Sequence, residues 1–298
     1  MFIRRVILIG MLAFWVPTGE KQTVIFSVGP AKIDPPSTVF PTPNPQDVAI
    51  LEEKLGIAVS ADSTTVARTL AVAKSFLGVP YVHGTLEQEG AEQVVVNLQQ
   101  LDCWTFLENS LAIALASHSA QPAFDTLQQY VQQLRYWGGQ VDGYASRIHY
   151  FSGWLLQAEK TGRLRDITRD LGGVPYRKKI GYMSARPKKY PPLQNPETRR
   201  ALQQVEERIS RHAWFYIPQD RVAHVEHLLR DGDIVALTSG KRDLDIAHQG
   251  FVVKKHGRAY LLHASSLAKK VVLAGQPLSR YVLAQKGQTG IIVARIEP

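Results

Sequence analysis

The spacing of apolar residues changes partway along the chain, from a helical period to a strand period. From Ser63 onward Val66, Leu70, Ala73 and Leu77 share one face, and Gly78 closes the run, which predicts a helix. A short apolar run, Val94–Leu98, leads into Leu101-Asp-Cys-Trp-Thr-Phe106. From Cys103 the residues at helical spacing are Phe106, Leu107, Ser110, Leu111, Ala114 and Leu115, so a second amphipathic helix starts near Asp102. Phe124, Leu127, Val131 and Leu134 predict a third helix, ended by Gly138-Gly139. The aromatic-rich segment from Tyr144 is expected to run as a helix through Leu156, and Pro196 to Arg211 as another with proline in its first turn. After Asp233 the pattern is strand-like: 233–238, 247–254, 259–263, 271–273 and 290–296 are short β-rich runs separated by turn residues. Helices first and strands afterwards predict an α+β fold with helices packed on an antiparallel sheet.

Two stretches break this pattern. Residues 34–45 are rich in proline, which disfavours helix and central strand alike, so 23–62 is expected to be an extended arm or linker before a domain spanning 63–298. At the N-terminus Arg4 and Arg5 precede an apolar run from Val6 to Val16, too short for a membrane span and suited to the core of a signal peptide over residues 1–22. The chain is therefore expected to be exported, periplasmic or in the cell envelope, with no membrane span once that segment is removed.

Composition narrows the chemistry. The chain is an ordinary globular one, 45% hydrophobic and 20% charged, with a net charge of +9 that favours anionic partners. No nucleic-acid module is evident. A single cysteine excludes an internal disulfide and a cysteine-rich zinc site. That cysteine, Cys103, falls in the first turn of a predicted helix, where free N–H groups and the helix dipole favour the thiolate. Packing as a small hydrophobe is its competing role. A nucleophilic thiol needs a base, and the base needs an orienting group. His248 opens one predicted strand and His263 closes the next, with His256-Gly257 as the turn between them, so both come to one end of a hairpin.

Other motifs carry less. His224 and His227 have helical spacing but no third ligand, and neither a metal nor a cofactor is expected. Ser266-x-x-Lys269 and Lys160-Thr-Gly162 stand in the wrong order for a penicillin-binding site. Between Asp170 and Glu197 there is no acid, while Arg177, Lys178, Lys179, Arg186, Lys188 and Lys189 all occur. This segment is a solvated basic loop or a clamp for substrate carboxylates.

The ordered set Gly78-Val-Pro-Tyr81-Val-x-Gly84, Leu101-Asp-Cys103-x-Thr-Phe106, Asp233-Ile-Val, His248-x-Gly-Phe-Val-Val and Leu-His263-Ala-Ser resembles the NlpC-type papain-like cysteine hydrolases of bacterial cell walls. Gly84-Thr-Leu-Glu87, Ser146 to Ser152 and Gly290-Ile-Ile-Val resemble the N-acetylmuramoyl-L-alanine amidase-like branch in particular. The resemblance implies Cys103 as nucleophile, His248 as general base and His263 as its orienting partner. It implies Tyr81 as an aromatic lining the site, and Asn97, Ser146, Arg147, His149 and Tyr150 as substrate-binding positions. The partner implied is peptidoglycan or a muropeptide fragment.

Two departures stand out. Cys103 and His248 lie far apart in sequence, which implies a large, mostly helical insertion at about 119–230 in a papain-like core. Gly153 stands where the branch has an acidic residue. The competing activities are a γ-D-glutamyl-diamino acid endopeptidase of the stem peptide, a papain-type protease and a non-catalytic wall-binding module. Gln100 occupies the position of the protease signature's other cysteine. Alkylation separates the wall-binding module from an activated nucleophile: a Cys103 that reacts no faster than a model thiol at pH 6–7 speaks against activation.

Overall fold

The computed structural model describes residues 40–297; the segment expected to be a signal peptide and residues 23–39 of the expected arm lie outside them. In chain order the elements are α1 (Pro45–Ser60), α2 (Thr65–Ser75), α3 (Cys103–Ala116), α4 (Phe124–Arg135), α5 (Phe151–Lys160), β1 (Leu164–Asp166), β2 (Val174–Tyr176), α6 (Pro196–Arg211), β3 (Trp214–Pro218) and a short α7 (Val222–Val225). Then come β4 (Ile234–Ser239), β5 (Ile246–Lys255), β6 (Arg258–Ser265), β7 (Lys270–Leu273), α8 (Leu278–Leu283) and β8 (Gln288–Ile296). The strands form one antiparallel sheet in the order β2-β3-β8-β4-β5-β6-β7, with β1 also paired to β8. This is the α+β architecture the patterning predicts.

Strand periodicity sorts the core into two layers. In β5, Phe251 and Val253 face the helical layer with Phe106, Leu107 and Leu111 of α3. Val252 faces the opposite layer with Leu278 and Val282 of α8. Both faces of the central strands are covered, which is why β4 is buried along its whole length.

Three expectations change. The segment 45–60, read as part of an arm, is a helix whose Leu51, Leu55 and Ala58 enter the core beside α2 and α3. Proline disfavours helix interiors but suits the first helical position, which Pro45 takes, while Asn44 accepts a hydrogen bond from Gln46 N at 2.9 Å. The segment 119–230, expected to be mostly helical, carries α4 to α7 but has fewer than half of its residues in them, and it also supplies β1, β2 and β3. Leu164 pairs with Ile296 and Ile217 with Ile291, so two of those strands lean on β8. The aromatic segment 144–150 is a turn and an extended stretch, and α5 begins only at Phe151.

Candidate active site

Asp102 sets the start of α3. Its carboxylate accepts from Trp104 N at 3.0 Å and Thr105 N at 2.8 Å, while the Thr105 hydroxyl accepts from Asp102 N at 2.9 Å. This reciprocal cap fixes the first turn and with it Cys103, a half-buried free thiol. Upstream, Leu101 N donates to Pro80 O and Val82 N to Leu101 O, so Tyr81 lies beside the residue two before the cysteine. Tyr81 N also donates to Lys269 O, which ties this stretch to the edge of β7.

The two histidines meet as the hairpin predicts. His248 Nε2 and His263 Nδ1 share a hydrogen bond of 2.7 Å, and the rings cross nearly at right angles. The β5–β6 register pairs Phe251 with Leu262, so one step further Gly250 stands opposite His263 and His248 is its diagonal neighbour. A Cβ on Gly250 would come within 2.5 Å of Leu262 O and 2.9 Å of His263 Cβ. Only glycine lets the strands close here. Next to His248, the buried Gln249 directs its amide toward Cys103 O at 3.5 Å.

The electrostatics run against a resting thiolate. Burial, then the neighbouring Asp102 carboxylate, push the Cys103 thiol up to about 12, more than the N–H groups of Gln249, Cys103 and Trp104 can offset. Burial, then the charge of His263, push His248 down to about 3, and burial takes His263 down to about 4. Thiol and imidazoles are therefore all neutral at pH 7. The expected pull of the helix end is real but outweighed: Asp102, the cap, engages two of its N–H groups and sets a negative charge beside the sulfur.

A cleft of about 860 Å³ runs past this helix start, walled by Asp102, Trp104, His83, Arg147, His149, Met183, Lys189 and Tyr190 among others. Arg147 and His149, expected as substrate contacts, thus line this cleft. Arg147 is buried, donating to Leu86 O at 3.0 Å and to Glu87 Oε1 at 2.8 Å. His149 packs on Tyr144 and hydrogen-bonds its carbonyl at 2.9 Å; burial, then Arg147, push it down to about 3.

The other expected contacts have structural work instead. Asn97 accepts from Gln99 N and Gln100 N at 3.0 Å in a turn, and lines a separate hollow with Pro41, Asp47 and Phe124. The Ser146 hydroxyl donates to Gly143 O at 2.7 Å within its own turn. Tyr150 is buried, donating to Glu206 Oε1 at 2.5 Å and accepting from Met183 N at 2.9 Å, which joins the start of α5 to α6. Gly153 packs so tightly that a Cβ would lie 2.9 Å from both Ile209 and Trp137, leaving no room for a carboxylate. A buried acid does approach the same helix start: Asp245 accepts from Ser152 N at 2.9 Å.

The basic segment divides as well. Lys178 Nζ donates to Ser239 O and Lys241 O at 2.7 Å, Arg186 pairs with Asp243 at 2.6 Å, and Lys189 reaches the cleft wall. Sequence reading missed Trp104 and Tyr190 as cleft walls, and Tyr281, whose ring packs on His263 at 5.3 Å. Trp104 had a signal in its position beside the lone cysteine; Tyr281, distant in sequence on a six-residue helix, had none.

A free thiol in the first turn of a capped helix, a hydrogen-bonded histidine pair on the antiparallel sheet and an aromatic-walled cleft thus stand in one α+β protein. The chain belongs to the N-acetylmuramoyl-L-alanine amidase-like family, whose model matches residues 71–291. It is similar to the solved structure of an N-acetylmuramoyl-L-alanine amidase from Bacteroides uniformis ATCC 8492, with a TM-score of 0.74 and 34% identity over 78% of this chain and 99% of that one. A Bacteroides fragilis structure aligns with a TM-score of 0.70 and 34% identity, over 75% and 99% of the two chains. A Legionella pneumophila str. Philadelphia 1 protein shares the fold alone, at TM-score 0.65 and 18% identity, over 85% of this chain and 95% of that one. No match is found among functionally curated sequences.

Proposed function

We propose that this protein is a cysteine amidase that cleaves the bond between N-acetylmuramic acid and L-alanine in peptidoglycan or its fragments. The observation that carries the reading is the 2.7 Å hydrogen bond between His248 and His263 beside the helix start that bears Cys103. With His248 Nε2 engaged, its Nδ1 is the nitrogen left to serve the thiol. A base must present a bare nitrogen, so in this reading Nε2–H donates to His263 Nδ1, which fixes both tautomers.

Because the groups rest neutral, the proton moves as the substrate is attacked. Cys103 Sγ bonds the amide carbon while its proton passes to His248 Nδ1. The developing oxyanion is met by the Cys103 N–H, the donor of the first turn that Asp102 does not engage. The C–N bond then breaks, His248 returns the proton to the leaving amine, and a thioester remains on Cys103. Water, deprotonated by His248, attacks the thioester, releases the carboxylic acid and restores the thiol.

The 119–230 segment is read here as an insertion into a papain-like, NlpC-type core, and Lys189 as a cleft cation for stem-peptide carboxylates. The charged and apolar pattern of residues 1–22 supports export to the periplasm or cell envelope. No helix among the described residues is long and apolar enough to cross a membrane.

The test is digestion of defined muropeptides by wild type and by Cys103→Ala, with products weighed by mass spectrometry. Wild type is expected to release a free stem peptide, and the variant to lose at least about 10³-fold in rate. A cut stem still attached to its sugar would make the protein an endopeptidase. Equal turnover by the variant would remove Cys103 from the chemistry.

A further inference from the structure

Helix α8 is held more firmly than its six residues require. Leu278 and Val282 are wholly buried in the layer behind the sheet. Ser279 N donates to Glu226 Oε2 at 2.9 Å, and Arg258 at the start of β6 donates to Glu226 Oε1 at 2.6 Å. Gln219 Nε2 adds a bond of 2.6 Å to Val282 O. A buried carboxylate, an arginine and an amide thus converge on one helical turn. The side chain this anchoring directs at the histidines is Tyr281, whose ring meets His263 at 5.3 Å and 63°, in edge contact.

We infer that Tyr281 is a positioning residue: its ring seats the His263 imidazole and keeps water off the His263–His248 hydrogen bond, so that His248 is presented to Cys103 in one orientation. His263 is 3% exposed and has His248 on one side and Tyr281 on another. The charged or titratable group that acts on His248 is His263, and Cys103 acts on Tyr281 and Tyr81. From β7 the residue opposite His263 is Val272, which carries no charge. The Tyr281 ring is thus an aromatic cover on His263 that a substitution can remove. Burial pushes the Tyr281 hydroxyl up to about 12, with Cys103 adding to the shift, so the phenol is neutral too.

The role rests on the Cys103–His248–His263 reading, and the experiment separates the two. In full-length protein carrying Cys103→Ala, which needs no turnover, the imidazoles are titrated by NMR with Tyr281 intact, as Tyr281→Phe and as Tyr281→Ala. Tyr281→Ala is expected to raise the His263 and His248 values by at least about one unit toward the free-histidine value, while Tyr281→Phe leaves them low. With Cys103 present, Tyr281→Ala is expected to lower kcat on a defined muropeptide about thirtyfold with KM within twofold. Tyr281→Phe should recover at least tenfold of that loss.

If the alanine variant does not fold, Tyr281→Val, which fills the edge of the layer but cannot reach His263, carries the same expectations. Unchanged titrations in the alanine or valine variant would overturn the inference, as would a phenylalanine variant no better than alanine. A rise in KM at constant kcat would also overturn it, making Tyr281 a substrate contact. A wild type that cleaves no muropeptide would sink the proposed function, and the titrations would still judge Tyr281.

Discussion

The α3 start and the loop wall of the cleft are built by different means. At the α3 start, as at the ends of β5 and β6 that carry the histidines, groups are fixed by a helix cap or a strand register. The loop wall is assembled from residues within 83–90, 147–149 and 183–192, which are turns and extended stretches for the most part. Its coherence comes from single side chains: Arg147 holds Leu86 and Glu87, Tyr136 donates to Glu92 Oε1 at 2.8 Å, and Arg135 reaches Val95 O. The helix start and the strand ends are thus held by repeating backbone bonds. The loop wall depends on a few polar latches, where small sequence changes reshape the cleft and leave α3 and the sheet in place.

The sharpest way to break this contrast is at the point where the walls join. Arg135 pairs with Glu108 of α3, both 1% exposed, through bonds of 2.8 and 2.5 Å. Arg135→Met leaves Glu108 buried without a partner and is expected to cost about 3–5 kcal/mol in denaturant unfolding. Adding Glu108→Leu should recover most of that loss; if it does not, the Val95 latch and not the ion pair dominates.

An effect at least as large is expected from acid, where three histidines act together. His149, His248 and His263 all have folded values below the unfolded one near 6.5, so the unfolded chain binds more protons between those limits. Stability is therefore full above about pH 6.5 and declines as pH falls toward 4, which thermal melts across that range would show. A melting temperature flat from pH 7 to 4 would mean the histidines are not held dry. The smallest effect is expected at Tyr150. Tyr150→Phe removes a hydrogen bond to Glu206 and should cost about 1.5–3 kcal/mol while KM for muropeptides stays unchanged, marking it as a strut of the loop wall.

The same contrast explains what could be read from sequence. The meeting of His248 and His263 was legible because a hairpin brings its far ends together, and the helix start at Cys103 because of the apolar period; the position of Tyr81 came from an ordered motif. Residues 144–150 were not legible. Ser146, His149 and Tyr150 are near neighbours in sequence, yet the turn directs Ser146 to its own backbone, His149 to the cleft and Tyr150 into the core. Aromatic and polar composition carries no information about such a turn. The helix α1 escaped because proline was read by frequency, whereas its effect depends on position within the helix. Gly153 reads as a departure in sequence and is explained only by the packing of Ile209 and Trp137 against it.

The Asp102 cap has a consequence for redox chemistry as well. The thiolate is the form of sulfur that attacks peroxides and disulfides, and a thiol held protonated is slow to climb the oxidation ladder. By placing a carboxylate next to its lone cysteine, the chain disfavours that form and slows the first oxidation step.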